Sequence, residues 1–369
     1  MTSPSSPEEN FAGSATVKSS RCRFQLCLEE IVTLSALIEA YANASRGKHE
    51  RLGVYRYADD LGENLTILRD RILSGEYKPQ PCHEFDIYCA AGQKVRRIAA
   101  PAFEDTIVQH LLYEALYDSF DRGFIFDSYG CRRGKGTHRA ADRVQEFMRR
   151  ADTGAYTLQI DIRKYYYRIN HAVLRESIER TVADPRIVDL VMLFAGDGEV
   201  GLNVGSLLSQ LFGMIYLDRF DHYVKRILKI KSYVRYVDDM VFVVRDKAEA
   251  NRILAEVQAF LADRLCLELS KWRIQPLSKG VNFAGFRTWQ NYRLIRKRSL
   301  HNFGRKLAKK DIESVSAILA HAMRSSSYRH LLNRVLDKWG PEEIRQLCDR
   351  QRADLRKILF PQDEAPVFP

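Results

Sequence analysis

The sequence predicts an α+β domain built on an antiparallel sheet and followed by a basic helical appendage. Three observations lead there. Residues 233–237 and 240–244 are apolar runs separated only by an acidic pair, which reads as a hairpin. Residues 157–162 form another apolar strand, with an acid, Asp161, near its end. Beyond Arg287 the pattern becomes helical and basic to the end of the chain.

The elements follow in order. Residues 1–20 are rich in Ser, Thr, Pro and Gly and read as a mobile tail. Apolar spacing from Leu28 to Tyr41 predicts a helix over 26–41, and a second spans 61–73, ending at Ser74-Gly75. Residues 83–88 and 94–99 read as strands joined by a turn at Ala91 and Gly92. Pro101 opens a helix over 102–117. Helices are expected at 172–181, 210–228 and 247–265, with short strands near 267–269 and 281–286. In the 210–228 helix, Phe212, Tyr216, Phe220, Val224 and Ile227 mark an apolar face, and Asp218, Asp221, His222 and Lys225 a polar one. The resulting division is a tail at 1–20, an N-terminal helical segment at 21–90, a central domain at 91–287 and the appendage at 288–369.

Composition excludes several classes. Hydrophobic residues at 46% and charged residues at 28% are ordinary for a soluble globular protein. No apolar run reaches the roughly 18 residues of a membrane span, and no secretory apolar region follows the start, so a cytoplasmic protein without a membrane partner is expected. The seven cysteines are scattered and never spaced C-x-x-C, which reads as reduced packing thiols. Cys82, His83 and Cys89 lack a fourth ligand for zinc. The net charge of +11 favours polyanionic partners. Eight basic residues and no acid lie between Thr288 and Lys310, with Trp289, Tyr292 and Phe303 among them. A solvated helix face is the plain reading; a surface that follows phosphates and stacks on sugars or bases is the other.

The acidic pair Asp238-Asp239 needs an explanation beyond the liking of Asp for turns. Two like charges at the rim of a packed sheet are unfavourable unless a cation neutralises them. A hairpin bearing Asp238 could lie beside the end of the 157–162 strand and so bring Asp161 to the same place. Hard oxygen ligands suit magnesium, and nucleotidyl transfer uses two such ions about 4 Å apart.

Tyr236-Val237-Asp238-Asp239, with Asp161-Ile162-Arg163-Lys164-Tyr165-Tyr166 upstream, resembles the palm of reverse transcriptases. Other blocks fall in that family's order across residues 50–290. Lys94-Val95-Arg96-Arg97-Ile98, Pro101 and Asp105-Thr106-Ile107-Val108-Gln109 are similar to the fingers of group II intron-like enzymes, although Thr106 stands where Arg is usual. Tyr129 to His138 resembles the next block, Leu269-Ser270-Lys271 the late palm lysine, and Asn282 to Phe286 the primer-grip turn. The resemblance implies a right-hand polymerase with fingers, antiparallel-sheet palm and helical thumb. It implies Asp161, Asp238 and Asp239 as catalytic residues, and these with Ile162 as the site of two Mg²⁺ ions, Mn²⁺ being the substitute. Lys94, Arg96 or Arg97, Tyr166, Gln210 and Lys271 would meet the incoming deoxynucleotide, with Tyr166 excluding a ribose 2′-hydroxyl. Tyr236, Arg132, Phe283, Gly285, Arg296, Lys297 and Arg298 would meet primer and template, and template RNA and an RNA–DNA duplex would be the partners.

Gly205-Ser206-Leu207-Leu208-Ser209-Gln210 ends in Ser-Gln where many relatives have Ser-Pro. In this it looks like the enzymes of diversity-generating retroelements, which copy a template-repeat RNA and work with a small accessory protein. Leu208 and the stretch 165–170 depart from that group. Antiphage defence reverse transcriptases that depend on a structured noncoding RNA share the palm and are the close rival, and a second subunit is a further partner to consider. From another class, a non-catalytic RNA-binding scaffold remains the alternative, disfavoured by three retained aspartates.

Overall fold

The computed structural model describes residues 25–89 and 94–351; the tail expected at 1–20 and the turn expected at 91 and 92 lie outside the described residues. Four helices come first: α1 (Leu28–Ile31), α2 (Leu34–Ser45), α3 (Leu52–Asp59) and α4 (Leu61–Leu73). The one helix expected over 26–41 is broken after Ile31. Thr33 restarts it as N-cap, its hydroxyl accepting from the Ala36 amide at 3.2 Å. Strands β1 (His83–Cys89) and β2 (Lys94–Ala100) then pair antiparallel. Phe85, Ile87, Tyr88 and Val95 are exposed on this hairpin, while at its root the Ala99 amide donates to the Val204 carbonyl (2.9 Å). A lone two-stranded ribbon is marginal in water, so that root contact is what aims it. Helix α5 (Phe103–Asp121) buries several sides, which is why its apolar residues are not confined to one stripe.

The central sheet uses helices α6 (Thr137–Arg150), α7 (His171–Glu179), α8 (Pro185–Met192), α9 (Leu207–His222) and α10 (Lys247–Leu265) as cover. Its strands are β3 (Tyr156–Ile162), β4 (Tyr233–Tyr236), β5 (Asp239–Val244) and β6 (Leu269–Pro276), in the order β4-β5-β3-β6 and antiparallel throughout. Strand alternation gives two faces. Leu158, Ile160, Ile162, Met240 and Phe242 join the large core that contains α9 and α10. Val234, Val241 and Val243 pack with Ala140, Val144, Phe147 and Met148 of α6 in a second core. The sequence reading assigned no element to α3, α6 or α8, although the apolar spacing in α6 is plainly helical. It also placed a strand at 267–269, which in the structure begins at Leu269 and runs to Pro276.

The 210–228 helix starts earlier, at Leu207, and passes after His222 into a π-helical turn. The division of its faces needs correction. Ile227 of the expected apolar face is 62% exposed, while Asp221 of the expected polar face is fully buried.

Past the central sheet, the chain is not simply helical. Strands β7 (Val281–Phe283), β8 (Phe286–Thr288) and β9 (Arg293–Ile295) form a small antiparallel sheet, so the boundary expected at 287/288 falls inside β8. Helices α11 (Lys297–Ala308), α12 (Ile312–Ala322), α13 (Tyr328–Leu336) and α14 (Pro341–Gln351) follow and close a core around Phe286, Ile295, Phe303, Leu319 and Trp339. This unit is fastened to α6 through Asp142, which receives Arg293 (2.8 Å) and Arg324 (3.0 Å).

Candidate active site

The second face of the central sheet is apolar at one end and acidic at the other. Moving along β3, buried Thr157 gives way to Gln159 and then Asp161, all on that face. Asp161 lies directly opposite Asp239 of β5 on one side and Lys271 of β6 on the other. Tyr236 pairs with Asp239, leaving Val237 and Asp238 as a two-residue turn. The pairing therefore sets Asp161 beside Asp239, next to the turn that carries Asp238, and the Ile162 amide donates to the Asp238 carbonyl at 3.4 Å.

Asp161 and Asp239 are held by neighbouring side chains. The Ser270 hydroxyl and the Lys271 ammonium (3.8 Å) sit on Asp161 Oδ2. Gln159 Nε2 donates to Asp239 Oδ1 (2.9 Å) and to the Asn282 carbonyl (2.6 Å), joining the catalytic strand to β7. Sequence reasoning missed Gln159; its signal was an amide two positions before Asp161 in an otherwise apolar strand. Burial pushes the Asp239 carboxyl up to about 7; Gln159 and Arg296 oppose this, and the charges of Asp161 and Asp238 add to it. Such a site asks for a counter-cation. Among the described residues no three acidic, imidazole or thiol groups converge on one point. Asp239 is turned to Gln159, so a cation held here would rest chiefly on Asp161 and Asp238.

The turn itself is strained. Val237 has φ +57°, a conformation that costs a β-branched residue on the order of 1–3 kcal/mol. It is wedged from below by Gly130, where a Cβ would lie 2.5 Å from Val237 Cγ2 and 2.6 Å from the Val237 nitrogen. Gly130 follows a segment hydrogen-bonded to β4: the Arg235 amide donates to Asp127 (3.0 Å), and the Tyr129 amide to Arg235 (2.9 Å).

The nucleotide-side residues fall on three supports. Tyr166 lies in the 3₁₀ turn Tyr165–Arg168, and its ring covers Gly213 of α9, where a Cβ would come within 3.1 Å of it. Burial raises the Tyr166 hydroxyl pKa, and Cys131 and Asp238 raise it further. Gln210 is exposed one helical turn before Gly213 on the same helix face. Lys271 is 78% exposed. Lys94 and Arg96 lie in β2 opposite Cys89 and Ile87, with their side chains outside the described residues. Arg97 occupies the alternate face of that strand and is paired with Glu84.

On the primer and template side the placements are mixed. Ala284 (φ +46°) and Gly285 (φ +89°) make a tight turn between β7 and β8, and Gly285 has no room for a Cβ because the His321 ring would be 2.7 Å away. Phe283 is fully buried, so it supports this turn from within. Tyr236 is half-buried against the second core. Arg296, Lys297 and Arg298 are exposed at the start of α11. Cations at a helix N-terminus oppose the macrodipole, an arrangement that an anion relieves.

Arg132 departs from expectation. Its guanidinium donates to Asp121 Oδ1 (2.6 Å) and to the carbonyls of Ile125 (2.7 Å), Ser128 (3.1 Å) and Asp121 (3.2 Å). It is a structural clamp on the 121–132 segment: four of its five N–H donors are used within the protein, and its side chain is only 6% exposed. The basic run at 288–310 is also thinner than its composition suggests. Arg293 is buried, Lys306 is paired with Asp311, and Lys310 with Glu343. Of its aromatics, Phe303 is core and Trp289 stacks on Tyr292 at 4.6 Å.

A family model described as reverse transcriptase (RNA-dependent DNA polymerase) matches residues 90–288. Protein YkfC of Escherichia coli K12 is 30% identical over 285 residues, covering 65% of this chain and 73% of that protein. The group II intron-encoded protein LtrA of Lactococcus lactis subsp. cremoris is 25% identical over 298 residues, covering 61% of this chain. The chain spans 49% of that protein's length. Among solved structures, apo telomerase from Candida tropicalis, truncated from its C-terminal domain, is similar at TM-score 0.44 and 16% identity, covering 62% of this chain and 59% of that one. Telomerase from Candida albicans with a fragment of telomeric RNA gives TM-score 0.45 and 10% identity, covering 75% and 61%. The family model spans more than half of the chain, and within that span Asp161 pairs with Asp239 at the end of one antiparallel sheet: the chain belongs to the reverse transcriptase family of RNA-directed DNA polymerases.

Proposed function

We propose that this protein copies RNA into DNA by nucleotidyl transfer at the Asp161–Asp238–Asp239 cluster. The observation that carries the reading is the cross-strand pairing of Asp161 with Asp239 beside the strained Val237–Asp238 turn. Asp161 and Asp238, with the Ile162 carbonyl, would hold divalent magnesium, or manganese in its place. A pair of such ions supplies positive charge against the primer oxygen and the departing pyrophosphate. The chain's own residues align the reactants. Lys94 and Arg96, with Arg97 as the alternative, steady the triphosphate; Gln210 lies near the nascent pair; Lys271 assists at the phosphate. The Ala284-Gly285 turn sets the primer end, and Arg296 to Arg298 hold the duplex by its backbone. Primer extension on an RNA template with purified protein and Mg²⁺ tests this; no product across varied templates and primers would favour a non-catalytic scaffold instead.

Two further outcomes follow. Tyr166→Ala should admit ribonucleotides, because the ring that would meet a 2′-hydroxyl is removed while Gly213 and the turn remain. Incorporation kinetics with paired rNTP and dNTP should show discrimination falling at least about 10²-fold, the scale of a lost steric contact plus positioning; unchanged discrimination ends the gate assignment. Duplex affinity should drop steeply with salt. About three phosphate contacts from Arg296, Lys297 and Arg298 correspond to a log–log slope near roughly −3, which a salt titration reads directly.

For the biological setting, the Ser209-Gln210 ending favours a diversity-generating retroelement working with an accessory protein. Sequencing the RNA and cDNA that copurify separates this from a defence role: a template repeat with adenine-directed errors supports it, and a structured noncoding RNA supports the rival.

A further inference from the structure

The buried pair Arg235–Asp221 has no explanation in the chemistry so far. Both side chains are sealed, at 1% and 0% exposure. Arg235 Nε donates to both Asp221 oxygens (2.8 and 3.0 Å), Nη2 donates to Oδ2 (2.6 Å), and the Tyr233 hydroxyl donates to Oδ1 (2.7 Å). A sealed ion pair is a poor stabiliser, because desolvation offsets its Coulomb attraction, and apolar residues of similar volume often do as well. What an apolar pair could not supply is the remaining donor. Nη1 reaches the carbonyl of Val237 at 3.2 Å, the residue held at φ +57°.

We propose that Arg235 is a positioning residue that ties the catalytic turn to α9 and keeps Asp238 in its working place. Helix α9 carries Gly213 under Tyr166, Gln210 in its first turn and Asp221 in its last. Through Asp221 and Arg235 the same rigid rod that backs the nucleotide pocket also sets the carboxylate turn. The relative spacing of nucleotide and catalytic acids is then fixed by one element instead of two. The guanidinium geometry matters here: a fork spans Asp221 and Val237 at once, whereas an ammonium on a flexible stem does not reproduce both contacts.

This inference rests on the polymerase reading, and the test separates the two. Compare the wild type with the double variant Arg235→Met/Asp221→Leu, made together with Tyr233→Phe so that neither a charge nor the Tyr233 hydroxyl is left orphaned, and with Arg235→Lys. In primer extension, both should lose about 10- to 100-fold in kcat, with KM for dNTP and Kd for the duplex within about twofold, as expected for a misplaced reacting group. In the metal-free protein, hydrogen exchange at the amides of Val237 to Asp239 should accelerate at least about tenfold. A folded double variant with kcat near wild type, or with unchanged exchange in the turn, overturns the inference. If the double variant does not fold, Arg235→Lys decides by the same two readings. A wild-type protein that extends no primer refutes the polymerase reading itself, and the exchange measurement on the turn still stands.

Discussion

Asp238→Asn should lower the rate of single-nucleotide extension by at least about 10³-fold, equivalent to roughly 4 kcal/mol of barrier. The amide keeps the volume of the side chain and an oxygen acceptor, so the turn has no steric reason to move. It loses the negative charge that the proposed cation site requires. Asp239 cannot take over, because its carboxyl is engaged by Gln159 and burial pushes its pKa up to about 7. Duplex affinity should be unchanged, since the basic residues at the start of α11 lie on another element. Rapid-quench extension at saturating dNTP, with a parallel duplex titration, reads both quantities. A variant that extends at full speed would remove Asp238 from the chemistry.

Gly130→Ala should be almost as damaging, though Gly130 takes no part in the reaction. The added Cβ meets the backbone nitrogen of Val237, not the end of a flexible side chain, so no rotamer change relieves the clash. The turn must shift, and a displacement of about 1 Å at a reacting group costs on the order of 10²-fold in rate. Overpacking should also cost about 1–3 kcal/mol of stability. Gly62→Ala, where a Cβ meets nothing within 4 Å, serves as the control. A Gly130→Ala protein with normal kcat and normal melting would mean that the 128–130 segment does not wedge the turn.

Much of this was legible from residue order because the forces concerned are local. The helices at 61–73 and 247–265 were read to their ends. In the latter, Asp246 caps the start by accepting from the Glu249 amide at 2.7 Å, and a left-handed Cys266 closes the end. The three aspartates stood out because uncompensated charge beside apolar strands has few structural excuses. Arg132 misled for the opposite reason. In a run of Arg, Lys and Gly it looks like a phosphate ligand, and only the fold brings the carbonyls of Ile125 and Ser128 to it. Asp221 misled in the same way: a helical period groups it with solvent-facing residues, and the returning β4 strand buries it under Arg235. Partners distant in the chain leave no periodic trace.

The primer-side turn has a mechanical consequence. Phe283, on one side of Ala284-Gly285, belongs to the core under the central sheet, whereas Phe286, on the other side, belongs to the core of the helical appendage. His321 of α12 stacks on Phe286 at 4.2 Å and abuts Gly285. The turn thus joins two separately packed bodies through two residues, so any strain between those bodies is carried by the backbone of Ala284 and Gly285.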